Sequence, residues 1–150
     1  MLANGVIEPI ESSRLISPVV FSDKPDGSYR FCVDLRSLNL NVVVDTFPLP
    51  NINELVFLLK GGSYLTKLDL RHAYHQIKLH QHSKHLTAFI TAEGTYQFMR
   101  LPFGLCSAAS GFQRIISGLF KGMSNVLYFQ EDILVLGDSV NSHNTILRQV

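Results

Sequence analysis

Residues 126–135, VLYFQEDILV, decide the fold, because they set two adjacent carboxylates, Glu131 and Asp132, between two short apolar runs. Val126, Leu127, Tyr128 and Phe129 lead in, Gln130, Glu131 and Asp132 form a polar tip, and Ile133, Leu134, Val135 and Leu136 lead out. Apolar runs of this length around a polar tip read as strand, tight turn, strand, the pattern of a buried hairpin. Acids at a turn are commonly just solvated turn residues, so the hairpin alone carries no chemistry. A second stretch changes that. Residues 64–79, YLTKLDLRHAYHQIKL, put Asp69 at the end of a strand-like run, between Leu68 and Leu70, ahead of a short polar break and another alternating run over 76–79. A carboxylate in an apolar strand is costly to desolvate unless it is paired, hydrogen-bonded or bound to a cation. Side by side in one sheet, the two stretches would bring Asp69, Glu131 and Asp132 together. Three carboxylates make a hard oxygen site suited to Mg²⁺ or Mn²⁺ rather than zinc. Two such ions about 3.5–4 Å apart are the machinery of in-line phosphoryl transfer.

Working outward, further motifs fall in a fixed order. They are GVIEPIESS (5–13) with SPVV (17–20), DGSYRFCVDLRSLN (26–39), FPLPNINEL (47–55), the Asp69 stretch, TAF (87–89), GTYQFMRLPFGLCSA (94–108), FQR (112–114) and the hairpin. Over nearly the whole chain this series resembles the fingers-palm part of a reverse transcriptase of the gypsy-type LTR-retrotransposon kind. The resemblance implies an α+β polymerase right-hand fold, an antiparallel palm sheet backed by helices with an interleaved fingers subdomain. Fingers would take about 1–63 and 78–99, palm about 64–77 and 100–150, and the thumb is expected to be absent. The implied activity is that of an RNA-directed DNA polymerase, in which Asp69, Glu131 and Asp132 hold two Mg²⁺ (or Mn²⁺) ions. The implied partners are a primed RNA or DNA template, deoxynucleoside triphosphates and, in a full-length parent, the thumb, ribonuclease H and integrase domains. The implied setting is intracellular, in the cytoplasm or in virus-like particles for such a parent.

Residues 17–22 and 29–34 read as strands joined by the turn Asp23-Lys24-Pro25-Asp26-Gly27-Ser28, whose Pro and Gly are turn signals. Alternation puts Tyr29, Phe31 and Val33 on one face and Arg30, Cys32 and Asp34 on the other. The resemblance makes this hairpin the fingers tip, with Lys24 and Arg30 holding the triphosphate of the incoming nucleotide, Arg30 bidentately; without it, both read as cations facing water. The resemblance also places Tyr74 beneath the nucleotide sugar, where its ring excludes a ribose 2′-hydroxyl. The plainer reading of Tyr74 is a core tyrosine. Pro102-Phe103-Gly104 corresponds to the loop forming part of the floor under nucleotide and template, with Gly104 permitting close backbone approach.

The chain departs from the family at its centre. Where the family carries Tyr-x-Asp-Asp, this sequence has Phe129-Gln130-Glu131-Asp132. Glu131 keeps the charge but adds a methylene, moving the carboxylate oxygens by about 1 Å against tolerances of about 0.5 Å, and displacement of that size costs about 100-fold in rate. Ala109 stands where the family usually has proline. A site that forms but catalyses weakly or not at all is expected, and the alternative is a non-catalytic retroelement remnant or a co-opted nucleic-acid- or protein-binding module.

The remaining readings are bounded by composition. The chain has 150 residues, 46% hydrophobic and 17% charged, enough for one globular core. A net charge of +1 confines any nucleic-acid surface to a local patch. Cys32 and Cys106 lack metal-type spacing and read as reduced, partly buried thiols. No apolar run approaches the ~20 residues of a membrane span, and no membrane partner is expected. Residues 1–4 read as the last turn of a helix closed by Gly5, with Met1 an internal methionine or a truncation point. Residues 42–50 read as an extended linker, followed by a helix with Ile52, Leu55, Val56 and Leu59 on one face, ended by Gly61-Gly62. Lys60 and Lys67 are assigned to the surface. His72, His75, His80, His82 and His85 read as a polar surface rather than a zinc site. Ser107 is read as capping a helix whose apolar face is Ala108, Phe112, Ile115, Ile116 and Leu119, and a last helix begins within 137–150.

Overall fold

The computed structural model describes residues 1–51, 53, 55, 57, 59 and 62–150. In chain order the strands are β1 (Ile7–Ile10), β2 (Val19–Asp23), β3 (Tyr29–Val33), β4 (Tyr64–Asp69), β5 (Phe89–Thr91), β6 (Gly94–Phe98), β7 (Val126–Phe129) and β8 (Asp132–Gly137). Among the described residues, α-helices with continuous bounds are α1 (Arg36–Asn39), α2 (Ala108–Leu119) and α3 (Val140–Leu147), with 3₁₀ turns over Ala73–Gln76 and Gln81–Thr87. The helix expected after residue 51 turns on Ile52, Val56 and Gly61, which lie outside the described residues, as does Lys60. The chain divides into two compact units, Met1–Val44 with Tyr74–Ala108, and Asp45–Ala73 with Ala109–Val150.

The first unit opens on a turn closed by Gly5 at φ 60°. The Gly5 N–H donates to the Leu2 carbonyl and the Val6 N–H to the Met1 carbonyl, the crossed pair that ends a helix at a left-handed residue. A three-stranded antiparallel sheet of order β1-β6-β5 and the two-stranded β2-β3 hairpin follow. Val6, Ile7, Val33, Leu35, Leu38, Phe89 and Phe98 form the core. Three local expectations change. The strand expected from residue 17 begins at Val19; Ser17 makes an isolated parallel bridge to Phe89 and donates its N–H to Ala88 at 2.8 Å. The run over 76–79 is not a strand: Gln76 closes a 3₁₀ turn and Lys78 alone bridges to Arg100. Helix α1 was not foreseen, since a single turn is too short to show helical periodicity. It starts where Asp34 accepts the Arg36 N–H at 3.1 Å. Both cysteines are free, but Cys106 is exposed rather than partly buried.

The second unit is a three-stranded antiparallel sheet of order β4-β8-β7 with α2 and α3. Period-two alternation sorts its side chains. Leu68 pairs Ile133, Tyr128 pairs Ile133 and Val126 pairs Val135 on one face, which packs with Phe120, Met123, Ile146 and Leu147. Lys67, Asp69, Leu127, Phe129, Asp132 and Leu134 share the other face by the same register. Helix α3 is held at its start by reciprocal bonds between Ser139 and Ser142, a capping box. Gly137 lies so close to α3 that a β-carbon there would stand 2.6 Å from the His143 Cα. Helix α2 buries Ala108, Phe112 and Ile116 but leaves Ile115 and Leu119 exposed, correcting the wider apolar face. The polar Gln113 is fully buried on it instead. The Ser107 hydroxyl donates to the Val43 carbonyl at 3.2 Å.

Candidate functional site

The β4–β8 ladder ends by pairing Asp69 directly with Asp132. Directly opposed residues of an antiparallel pair project to the same face with β-carbons about 4.5–5.5 Å apart, so two carboxylates stand side by side at the sheet end. Asp69 is exposed and Asp132 half-buried. Leu68 and Leu70 therefore flank Asp69 in sequence without enclosing it, since alternation sends them to the opposite face. Asp69 is thus less buried than its apolar strand context suggests.

Gln130 and Glu131 make the two-residue connection between β7 and β8. Gln130 takes φ 52°, as tight hairpin turns require at their first central residue. His72, three residues beyond Asp69, takes φ 54°, and these are the two non-glycine positive-φ residues among those described. Backbone cost of this kind concentrates at functional sites. Two hydrogen bonds fix the turn. The Leu70 N–H donates to the Glu131 carbonyl at 3.0 Å, tying the turn to the chain just after Asp69. The Gln130 N–H donates to Gln113 Oε1 at 2.9 Å, tying it to α2. Sequence reasoning treated Gln113 only as part of a motif; a polar residue between Phe112 and Ile116, on the apolar stripe, was the available signal.

Among the described residues no three His, Cys, Asp or Glu side chains are grouped closely enough to hold a metal ion. Asp69 and Asp132 share a face, but the three carboxylates are not gathered into one ligand set. Glu131 lies in the turn, outside β8, so the strand's alternation does not assign it to either face. The donor chemistry still fits a hard divalent cation, because two carboxylate oxygens from opposed strands are the ligand type such ions take.

Lys67 is exposed, as expected of a surface lysine, and it also joins the pair. Its Nζ lies 2.9 Å from Asp132 Oδ1. The hydrogen bond to Asp132, then the Asp132 charge, and to a lesser extent the Asp69 charge, raise the Lys67 ammonium above the usual lysine range. Its position two residues before Asp69 on one strand was the signal, since residues i and i+2 share a face. The same face holds a cleft of about 230 Å³ lined by Lys67, Leu127, Phe129, Asp132 and Leu134 with Leu55 and Leu59.

The other candidates, Lys24, Arg30, Tyr74, Phe103 and Gly104, belong to the first unit. Lys24 is half-buried in the β2–β3 turn, where its N–H donates to the Ser28 carbonyl at 2.8 Å and Asp26 accepts the Ser28 N–H at 2.9 Å. Arg30 is exposed and pairs Ser22 in the ladder. Tyr74 is buried, and the exposed Phe103 meets its ring edge-on at 4.9 Å. Gly104 takes φ 87°. The Asn39 amide donates to the Gly104 carbonyl at 2.8 Å and its oxygen accepts the Cys106 N–H at 2.9 Å, so Asn39 holds this loop, a role the sequence did not disclose. Tyr74, Phe103 and Gly104 are thus brought together, with Lys24 and Arg30 on the hairpin.

Comparison with known proteins bears on both units. Residues 22–150 match the family described as reverse transcriptase (RNA-dependent DNA polymerase). The chain is 37% identical over 157 residues to the retrovirus-related Pol polyprotein from transposon opus of Drosophila melanogaster, covering 100% of this chain and 16% of that relative. It is 33% identical over 144 residues to the transposon Tf2-3 polyprotein of Schizosaccharomyces pombe, covering 95% of this chain and 11% of the relative. A crystal structure of prototype foamy virus protease-reverse transcriptase is similar at a TM-score of 0.87 and 27% identity, over 99% of this chain and 20% of that one. A foamy viral protease-reverse transcriptase in complex with double-stranded DNA shares the fold at a TM-score of 0.90 and 24% identity, over 99% of this chain and 26% of that one.

Proposed function

Because the chain belongs to the reverse transcriptase (RNA-dependent DNA polymerase) family, we propose that it provides the carboxylate centre and nucleotide-binding elements for template-directed deoxynucleotidyl transfer. The observation that carries this reading is the pairing of Asp69 with Asp132 at the sheet end, with Glu131 next to it at the hairpin turn. The first unit corresponds in this reading to fingers and the second to palm; the expected bounds, fingers 1–63 with 78–99 and palm 64–77 with 100–150, differ from the two units over residues 45–63, 74–77 and 100–108.

Reverse transcriptases generally work with divalent metals. In this reading Asp69, Asp132 and Glu131 hold two Mg²⁺ or Mn²⁺ ions, which when bound supply Lewis-acid activation of a primer 3′-hydroxyl and neutralise charge on the leaving pyrophosphate. The chain's own groups do the rest. Lys24 and Arg30 bind the triphosphate as cations. Tyr74 supports the sugar and, backed by Phe103, excludes a 2′-hydroxyl, which selects deoxynucleotides. Gly104 lets the loop backbone come close to nucleotide and template. The substrates are a primed RNA or DNA template and deoxynucleoside triphosphates. Thumb, ribonuclease H and integrase domains of a longer polyprotein, in the cytoplasm or in virus-like particles, complete the setting.

The test is Mg²⁺- and Mn²⁺-dependent extension of oligo(dT) on an RNA template by this chain, by Asp69→Asn and by Glu131→Asp. Extension abolished in Asp69→Asn and raised in Glu131→Asp supports the reading. No extension by the chain or by Glu131→Asp refutes it for this chain. It would favour the second reading, a non-catalytic remnant or binding module, for which the carboxylates not gathered into a ligand set speak.

A further inference from the structure

We propose that Lys67 is an internal counter-cation of the carboxylate face, and that a divalent ion binding Asp69 and Asp132 must displace its ammonium. The inference rests on the function proposed above and adds a residue that the metal-ligand set does not contain. Lys67 and Asp69 are i and i+2 on β4, and Asp132 and Leu134 are i and i+2 on β8. The register pairs Lys67 with Leu134 and Asp69 with Asp132. The lysine therefore stands one rung from the two acids on their own face, and its Nζ crosses diagonally to Asp132 Oδ1 at 2.9 Å. Two opposed carboxylates repel across a rung, and the ammonium relieves that repulsion without any bound ion.

The device is displaceable by construction. The Lys67 side chain is 59% exposed, on a flexible four-carbon stem, so it can leave for water. A cation of charge +2 that takes both carboxylates replaces a single monodentate contact. The lysine is then a competitor that weakens metal binding and guards against loose association of the acids with other cations.

The experiment measures Mn²⁺ binding to the whole chain by the electron paramagnetic resonance signal of free Mn²⁺, for wild type, Lys67→Gln, Lys67→Arg and Asp69→Asn. Lys67→Gln is expected to bind about two- to fivefold more tightly, a small change because the ion pair it removes is exposed. Lys67→Arg keeps the charge and is expected to stay near wild type, which separates competition from a change in packing. Asp69→Asn is expected to weaken binding. Unchanged or weaker binding in Lys67→Gln, with wild type binding Mn²⁺ through Asp69, overturns this inference and leaves the proposed function standing. No Mn²⁺ binding by any of the four overturns both.

Discussion

Replacing Gln113 by leucine would isolate one hydrogen bond beside the carboxylates. Gln113 is fully buried, its Oε1 accepts the Gln130 N–H at 2.9 Å, and its Nε2 has no hydrogen-bond partner among the described residues. Leucine is close in volume, so the cavity contribution is small. The exchange loses one hydrogen bond, worth about 1 kcal/mol net, and relieves a buried unsatisfied donor that costs about 1–3 kcal/mol. These oppose, and overall stability is expected to change by less than about 2 kcal/mol. The local effect does not cancel. Gln130 sits at φ 52°, a region that costs a residue with a side chain about 1–2 kcal/mol, and it loses the bond that holds it there. Losing about 1 kcal/mol of local restraint lowers the protection of the Gln130 amide against hydrogen exchange by about fivefold. Protection at Val135, fully buried in β8, is expected to stay unchanged. Native-state exchange followed by NMR reads both amides. Equal protection at Gln130 in the variant and the wild type would refute the claim that Gln113 positions the turn.

Gly137→Ala is expected to destabilise the chain by about 2–3 kcal/mol in chemical denaturation, because the new β-carbon would meet His143 backbone atoms at 2.6–2.7 Å, which cannot swing aside as a side chain could; a loss under about 0.5 kcal/mol would count against the close packing of α3 on β8. Asp34 is held down to about 2, first by hydrogen bonds from the Arg36 side chain and then by the Arg36 N–H. A depressed carboxyl contributes stability above its unfolded value of about 3.9 and loses it as pH falls toward 2, so Asp34→Asn is expected to flatten the Tm–pH curve between about pH 4 and 2, and an unaltered slope there would refute the role of the pair.

The strands were legible because short alternating runs bounded by turn residues carry a period of two. Residues 64–69, 29–33 and 126–137 form ladders at the expected places. What failed was local. The run over 76–79 alternates as a strand does, yet one bridge at Lys78 is all that forms, since alternation reports compatibility with a strand and not the presence of a neighbour to pair with. Helix α1 escaped because a single turn held by Asp34 has no periodicity. The apolar face of α2 was drawn from hydrophobicity alone, which admits Ile115 and Leu119. Gln113 took the buried place by virtue of a bond to a turn 17 residues away, and no helical pattern encodes such a partner.

The site was legible as a set of residue types and illegible as an arrangement. Two flanking leucines suggest that Asp69 is desolvated, but the ladder register sends those leucines to the core and leaves Asp69 exposed on the open face. The quantity that governs the acids is then their neighbours on that face rather than burial. The parity rule that moves the leucines away also moves Lys67 toward the acids, because every second residue of β4 shares a side with Asp69. Glu131, at the turn outside β8, is not assigned to a face by that rule. Lys67 is exposed, as its residue type suggests, yet the pleat sets it beside Asp132, so acids in strands are judged better by counting by twos across the register than by counting acids.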